Sequence, residues 1–356
     1  MGKLIQEKGI GSLSMFSGAS GIALSANCIS KEKQRYSSFI FNINHFIVTQ
    51  IEQLIFQITK DIYVKMYDYD VISGISGIAS YCMLFPDNIE MIDVLKKIVL
   101  YIIEMCQDKK VDNMTVPAWY IPPEHQFSER DKKLWPKGCF NIGLSHGIPG
   151  PLVVLCNAKK IGICVDGLEE CAKKIADFLI KFCIKSNDQC FWGTHISLEE
   201  YRKNTIFNTY TRDAWCYGTP GVAYSLILAG KILKNEQYVK YAIEGMRNSV
   251  KQLRKLYSPT FCHGFAGIAY ISYRFYEITG LYEFKQAYMD LFRKIMTFYD
   301  ENAPFGFYNI ENSNGKQKSY NSIGLIDGTV GVLLTLLSIQ KGKRTPWDHA
   351  FLLHDI

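Results

Sequence analysis

The chain has 356 residues, 48% of them hydrophobic and 21% charged, which is ample apolar material for a large core and enough length for two or three ordinary domains. Its formal net charge of +6 comes from Lys and Arg scattered in short clusters such as Lys341-Gly-Lys-Arg344. That is the pattern of a solvated surface rather than of a nucleic-acid footprint. No uninterrupted apolar stretch approaches the roughly 20 residues of a membrane span. The start, Met1-Gly-Lys-Leu-Ile-Gln-Glu-Lys8, has no signal-peptide core, and Gln6 stands where a myristoylation motif needs Ser or Thr. The expectation is a soluble cytoplasmic protein, at most docked on a membrane-bound partner.

Taken in order, the chain repeats itself. A pair of glycines three apart, with an apolar helix-like run behind it, occurs at Gly18-Ala-Ser-Gly21, Gly74-Ile-Ser-Gly77 and Gly147-Ile-Pro-Gly150. It returns at Gly218-Thr-Pro-Gly221, Gly264-Phe-Ala-Gly267 and Gly328-Thr-Val-Gly331. Between the copies lie long amphipathic segments, read as helices over 89–107, 168–185, 238–257 and 284–299. In the second of these, Leu168, Cys171, Ile175, Phe178, Leu179 and Phe182 recur at the spacing of one helical face. Each unit is therefore a helix pair. Eleven cysteines is an odd number, and Cys82, Cys106, Cys156, Cys171 and Cys183 fall inside apolar runs without framework spacing. They read as reduced core residues.

Repeating helix pairs bury their faces against their neighbours, and units that curve round and close make a double-layered α/α toroid. The whole chain, 1–356, is expected to form one such all-α domain. Glycines at the start of each short inner helix allow a tight turn and leave backbone N–H groups facing the toroid's mouth. The residues just before each pair then converge. Asp70, His146, Cys216, Cys262 and His263, from four different units, come within reach of one site.

Cys216, Cys262 and His263 together supply three ligands to one zinc ion, and three protein ligands leave the fourth tetrahedral position open, as in a catalytic site. Taken singly, Cys262 and His263 are equally compatible with a packed thiol and an imidazole bonded to a carbonyl, and Cys216 reads as a core residue rather than a ligand. As joint ligands they require irregular backbone, since neighbouring side chains in a strand point to opposite faces. His146 suits proton transfer near neutral pH and has the alternative of a fourth, closing ligand. Asp70 either orients that imidazole or caps the following helix. Arg212 either stabilises a developing oxyanion or pairs with Asp213 or another carboxylate. Tyr217 is a hydrogen-bond donor or a packing residue, and Cys139 reads as structural.

Trp215-Cys-Tyr-Gly218, Cys262-His-Gly264 and Ser145-His-Gly147 resemble the lanthipeptide cyclases of the nisin cyclase type and the wider LanC-like superfamily, over a span from about residue 12 to near the C-terminus. The resemblance implies zinc ligands at Cys216, Cys262 and His263, an acid/base histidine at His146, a supporting carboxylate at Asp70, and flanking roles for Arg212 and Tyr217. It implies one zinc per chain and a reaction in which a peptide cysteine adds to dehydroalanine or dehydrobutyrine, giving a lanthionine or methyllanthionine ring. Partners would be a dehydrated precursor peptide with a leader segment, a dehydratase and a peptide exporter. Members usually have seven helix pairs; six are counted here, so the missing unit is expected to be the first. Two rival readings are a LanC-like protein that binds glutathione as a thiol transferase or adaptor, and a glycoside-processing toroid. The second needs paired carboxylates; Asp70, Asp213 and Asp327 are available, but the Cys-Cys-His set would then have no purpose.

Overall fold

The computed structural model describes residues 9–30, 35–186, 189–313, 315–342 and 345–354; the N-terminal octet read above for targeting signals, and Lys343 and Arg344, lie outside them. Among the described residues five helical hairpins follow one another: α1 (Ala19–Cys28) with α2 (Ser37–Ile58), α3 (Ile75–Cys82) with α4 (Ile89–Met105), α5 (Pro149–Lys160) with α6 (Leu168–Lys181), α7 (Thr219–Ile232) with α8 (Glu236–Gln252), and α9 (Phe265–Thr279) with α10 (Tyr282–Met296). A further helix, α11 (Thr329–Lys341), completes six inner helices, one behind each glycine pair. The inner helices pack on one another in chain order, and α2, α4, α6 and α8 pack in turn outside them. This is the double-layered toroid that the repeats predict.

Burial separates the two layers. In α6 the face carrying Leu168, Cys171, Ile175, Phe178 and Leu179 is buried while Lys173 and Asp177 face water; each fully buried aliphatic or aromatic side chain contributes about 1.5–3 kcal/mol. Inner helix α7 is buried on every side from Thr219 to Gly230, as a helix enclosed by neighbours must be. Two outer helices end earlier than their periodicity suggests. After Lys181 the chain enters a strand, β4 (Ile184–Ser186), paired with β5 (Gln189–Phe191), and α8 stops at Gln252, because the next residue, Leu253, adopts a left-handed φ of 48°. The other small antiparallel pairs are β1 (Asp108–Val111) with β2 (Met114–Pro117), β3 (Cys139–Asn141) with β6 (His195–Ser197), and β7 (Tyr308–Ser313) with β8 (Lys316–Asn321).

The segments before the glycine pairs are laced together by backbone hydrogen bonds around the mouth. Phe16 N–H donates to Ile72 O (3.2 Å), Val71 to Ser145 (2.9 Å), Ser145 to Cys216 (3.2 Å), Cys216 to Cys262 (3.2 Å) and Cys262 to Ile326 (2.9 Å). Every unit is thereby linked to the next. Between the first and last of these units lies a cleft of about 550 Å³ lined by Phe16, Gly18, Leu325 and Asp327, and Val330, Leu333 and Leu337 of α11 are exposed.

In a 3₁₀ turn at Pro346–Phe351, Trp347 to Phe351 are buried beneath the mouth, as are the three residues after it, Leu352, Leu353 and His354. Trp347 Nε1–H donates to Ser338 Oγ, Tyr270 O–H to Asp348, Trp215 Nε1–H to Phe351 O, and Tyr224 O–H to His354 O. These anchors come from α11, α9, the approach to α7, and α7 itself. No helix among the described residues is long and apolar enough to cross a membrane. The reading of Cys106 and Cys171 as separate reduced thiols is corrected. The end of α4 packs on α6, which brings their Cα atoms to 5.7 Å and joins the two in a disulfide; a separation of 65 residues hides this from the sequence. Cys183 and Cys190 also approach, with sulfurs 2.8 Å apart.

Candidate metal centre

Two short segments with the same internal alternation build the site. Trp215 and Phe261 turn inward and are fully buried. Their rings lie 4.8 Å and 3.9 Å from that of Phe351. The next residue in each, Cys216 or Cys262, turns the other way, toward the mouth. The second glycine of each pair makes room for this. A Cβ at Gly221 would lie 2.5 Å from the Trp215 carbonyl oxygen, and one at Gly267 would lie 2.2 Å from that of Phe261, so any other residue would push the cysteine-bearing segment off its helix. Cys262 and His263 occupy a turn rather than a strand, which lets adjacent side chains share one side.

The sulfurs of Cys216 and Cys262 and a ring nitrogen of His263 all lie within 4.8 Å of one another. Hydrogen bonding from Cys262 holds the Cys216 thiol well below its ordinary range, against burial and with help from His263 and the Arg212 charge. Cys262 is pushed up correspondingly by its bond to Cys216 and by burial. Burial presses the His263 imidazole down, but the Cys216 bond and the charges of Cys216 and Glu311 outweigh it and leave it raised. Two sulfurs and an imidazole nitrogen this close together form a donor set that a zinc ion fits. Among the described residues no fourth such ligand joins them.

His146 stays outside that set. Its Nδ1–H donates to Asp70 Oδ2 at 2.6 Å, and Asp70, 1% exposed, also accepts from the N–H groups of Ser73 and Gly74 through Oδ1, both at 2.7 Å. Asp70 therefore both orients the imidazole and caps the entry to α3. Tyr217 accepts from Asn141 Nδ2 at 3.0 Å, and its ring lies 6.1 Å from that of His146. Asp213 pairs with Arg254 at 3.3 Å. The Arg212 side chain has no hydrogen-bond or ion-pair partner among the described residues and acts on both cysteines through its charge. Cys139 is buried and held up at about 12 by that burial.

Two residues of the mouth carry no glycine-pair signal. His195 reaches a cavity of about 220 Å³ that it lines with His146, Tyr217 and Asn141; it arrives through β3–β6 pairing, opposite Asn141, and burial pushes it down to about 4. Glu311, from β7, accepts from His263 Nε2 at 3.0 Å. Only pairing register and tertiary contact could have revealed either.

Glycine-paired inner helices that bring two of their mouth segments together around a Cys-Cys-His set able to hold a metal ion, with a carboxylate-held histidine alongside, define a helical toroid with a candidate metal centre at its mouth. The chain belongs to the lanthionine synthetase C-like family, whose model matches residues 1–352. It is 28% identical over 347 residues to the nisin biosynthesis protein NisC of Lactococcus lactis subsp. lactis, covering 96% of this chain and 78% of that protein. It is also similar to the solved structure of nisin cyclase, at 25% identity and a TM-score of 0.85, covering 99% of this chain and 82% of the other.

Proposed function

We propose that this chain is a lanthionine-forming cyclase that closes thioether rings in a dehydrated precursor peptide. The observation that carries the reading is the Cys216, Cys262 and His263 set within 4.8 Å, in a member of a family whose relatives include nisin cyclase. These three residues would hold one zinc ion. A zinc ion held there would supply a deprotonated and still nucleophilic substrate sulfur at neutral pH, where a free cysteine with pKa near 8.5 is mostly thiol.

The chain's own residues do the rest. The peptide sulfur bonds to the β-carbon of a dehydroalanine or dehydrobutyrine, the double bond opens, and the α-carbon receives a proton. Atoms balance within one peptide, so its mass does not change. His146, held at Nδ1 by Asp70, presents Nε2 to the mouth and moves that proton. Arg212 stabilises the anion that develops on the carbonyl side, and Tyr217 offers its hydroxyl proton beside it. Dehydration of Ser and Thr must occur first, so a dehydratase acts upstream; a leader-bearing substrate and a peptide exporter complete the proposed cytoplasmic setting.

The test is incubation of purified protein with a dehydrated, cysteine-containing peptide, with alkylation and mass measurement afterwards. Ring closure removes the alkylatable thiol at unchanged peptide mass. A peptide that stays fully alkylatable contradicts the reading, and a gain of one glutathione mass when glutathione is added favours the thiol-transferase alternative.

A further inference from the structure

A histidine ligand must keep one nitrogen bare, and nothing in His263 itself selects which. The β7–β8 hairpin, inserted between α10 and α11, brings a carboxylate to one of the two nitrogens. Glu311 Oε1 faces His263 Nε2 at 3.0 Å. The same oxygen accepts from Asn309 Nδ2 at 3.1 Å, Asn309 Oδ1 accepts from Ser258 O–H at 3.2 Å, and Ser258 Oγ accepts from the backbone N–H of Ile310 at 3.0 Å. Asn309 and Glu311 are two apart on one strand and so share a face. Ser258 and Asn309 are buried, while Glu311 is only half-buried. A polar chain, buried at Ser258 and Asn309, thus runs from the segment before α9, through the hairpin, and back to the histidine four residues on from Pro259.

We propose that Glu311 is a positioning residue of the metal centre, accepting the Nε2–H of His263 and thereby fixing the tautomer whose bare Nδ1 meets the cysteine sulfurs. Ser258 and Asn309 hold that carboxylate in place. Partners of this kind orient a ligating histidine and raise its basicity, and losing one typically costs about 10–100-fold in metal affinity. The inference rests on the zinc reading proposed for Cys216, Cys262 and His263.

The experiment is a zinc-affinity measurement on the full chain by competition with a chromophoric chelator, for wild type, Glu311→Ala, Glu311→Gln and Lys318→Ala. Lys318 is the cross-strand partner of Glu311 and is exposed, so it reports on the hairpin without the carboxylate. Lys318→Ala is expected to match wild type, Glu311→Ala to bind about 10–100-fold more weakly, and Glu311→Gln to fall between, because its amide oxygen still accepts Nε2–H without charge. Imidazole nitrogen NMR on the zinc-loaded wild type is expected to show His263 protonated at Nε2. Zinc affinity of Glu311→Ala within twofold of wild type, or a proton on Nδ1, overturns the assignment. Should Glu311→Ala fail to fold, the Gln variant and the NMR signal decide. A wild type that binds no zinc fails the metal reading itself, which separates that outcome from failure of the Glu311 role alone.

Discussion

Asp70→Asn changes the chemistry of His146 while sparing the fold around it. Oδ1 of Asp70 accepts two backbone N–H groups, from Ser73 and Gly74, so an asparagine must keep its carbonyl oxygen there. Its NH₂ then falls where Oδ2 now lies, against His146 Nδ1. Two donors cannot face each other, so the imidazole inverts its tautomer: Nδ1 becomes bare and Nε2 carries the proton. The nitrogen at the mouth can no longer take a proton, and the imidazolium loses its carboxylate. A hydrogen bond to a charged group is worth about 1.5–3 kcal/mol, and lost general acid–base catalysis brings the expected rate loss to about 10²–10⁴-fold. The assay is single-turnover loss of peptide thiol, with zinc content and far-UV circular dichroism matched to wild type. His146→Ala sets the floor for comparison. An Asp70→Asn rate within fivefold of wild type at full zinc content would refute the tautomer argument.

The remaining predictions concern the metal set, the axis and acid. Cys216→Ala or Cys262→Ala is expected to lose bound zinc and ring formation together; a full zinc equivalent in either variant removes that residue from the ligand set. Phe351→Ala removes a fully buried ring from between Phe261 and Trp215 and is expected to cost about 3–5 kcal/mol in urea denaturation, with weaker zinc binding; a loss below about 1 kcal/mol contradicts the role given to the C-terminal segment. His349 and His354 stack at 3.7 Å. Burial pushes His349 down to about 4 and His354 well below its ordinary range. Unfolded, both take up protons near pH 6.5, so stability is expected to fall as pH drops from about 6.5 toward 4, by up to about 1.4 kcal/mol per unit per histidine. Urea midpoints that stay level from pH 6.5 to 5, with chelator present, contradict this.

How much of the fold is legible in the sequence depends on how local its causes are. The glycine pairs announce six inner helices because a close approach of backbone to backbone, as between Gly267 and Phe261, tolerates no side chain and so marks the sequence directly. The outer helices show through their 3.6-residue period, although their ends do not. Helix α6 stops at Lys181 because the chain turns into the β4–β5 pair, and α8 stops at Gln252 because Leu253 takes a left-handed conformation. Cys216, Cys262 and His263 are legible as a group only because each stands before a glycine pair and the repeat superimposes those positions. Long-range closures leave no such trace. Phe351 lies under Trp215 across 136 residues, Cys106 meets Cys171 across 65, and Glu311 reaches His263 across 48. Each is decided by packing, so an exposed-looking glutamate on a hairpin and a C-terminal phenylalanine carry no local sign of their place.

Metal dependence of ring closure tests the central claim most directly. The purified chain is assayed for zinc by elemental analysis, stripped with chelator, and returned to stoichiometric zinc, with thiol loss from a dehydrated peptide measured at each stage. The account predicts one zinc per chain, ring closure lost on stripping and restored on return. Ring closure that continues at full rate in metal-free protein would contradict it.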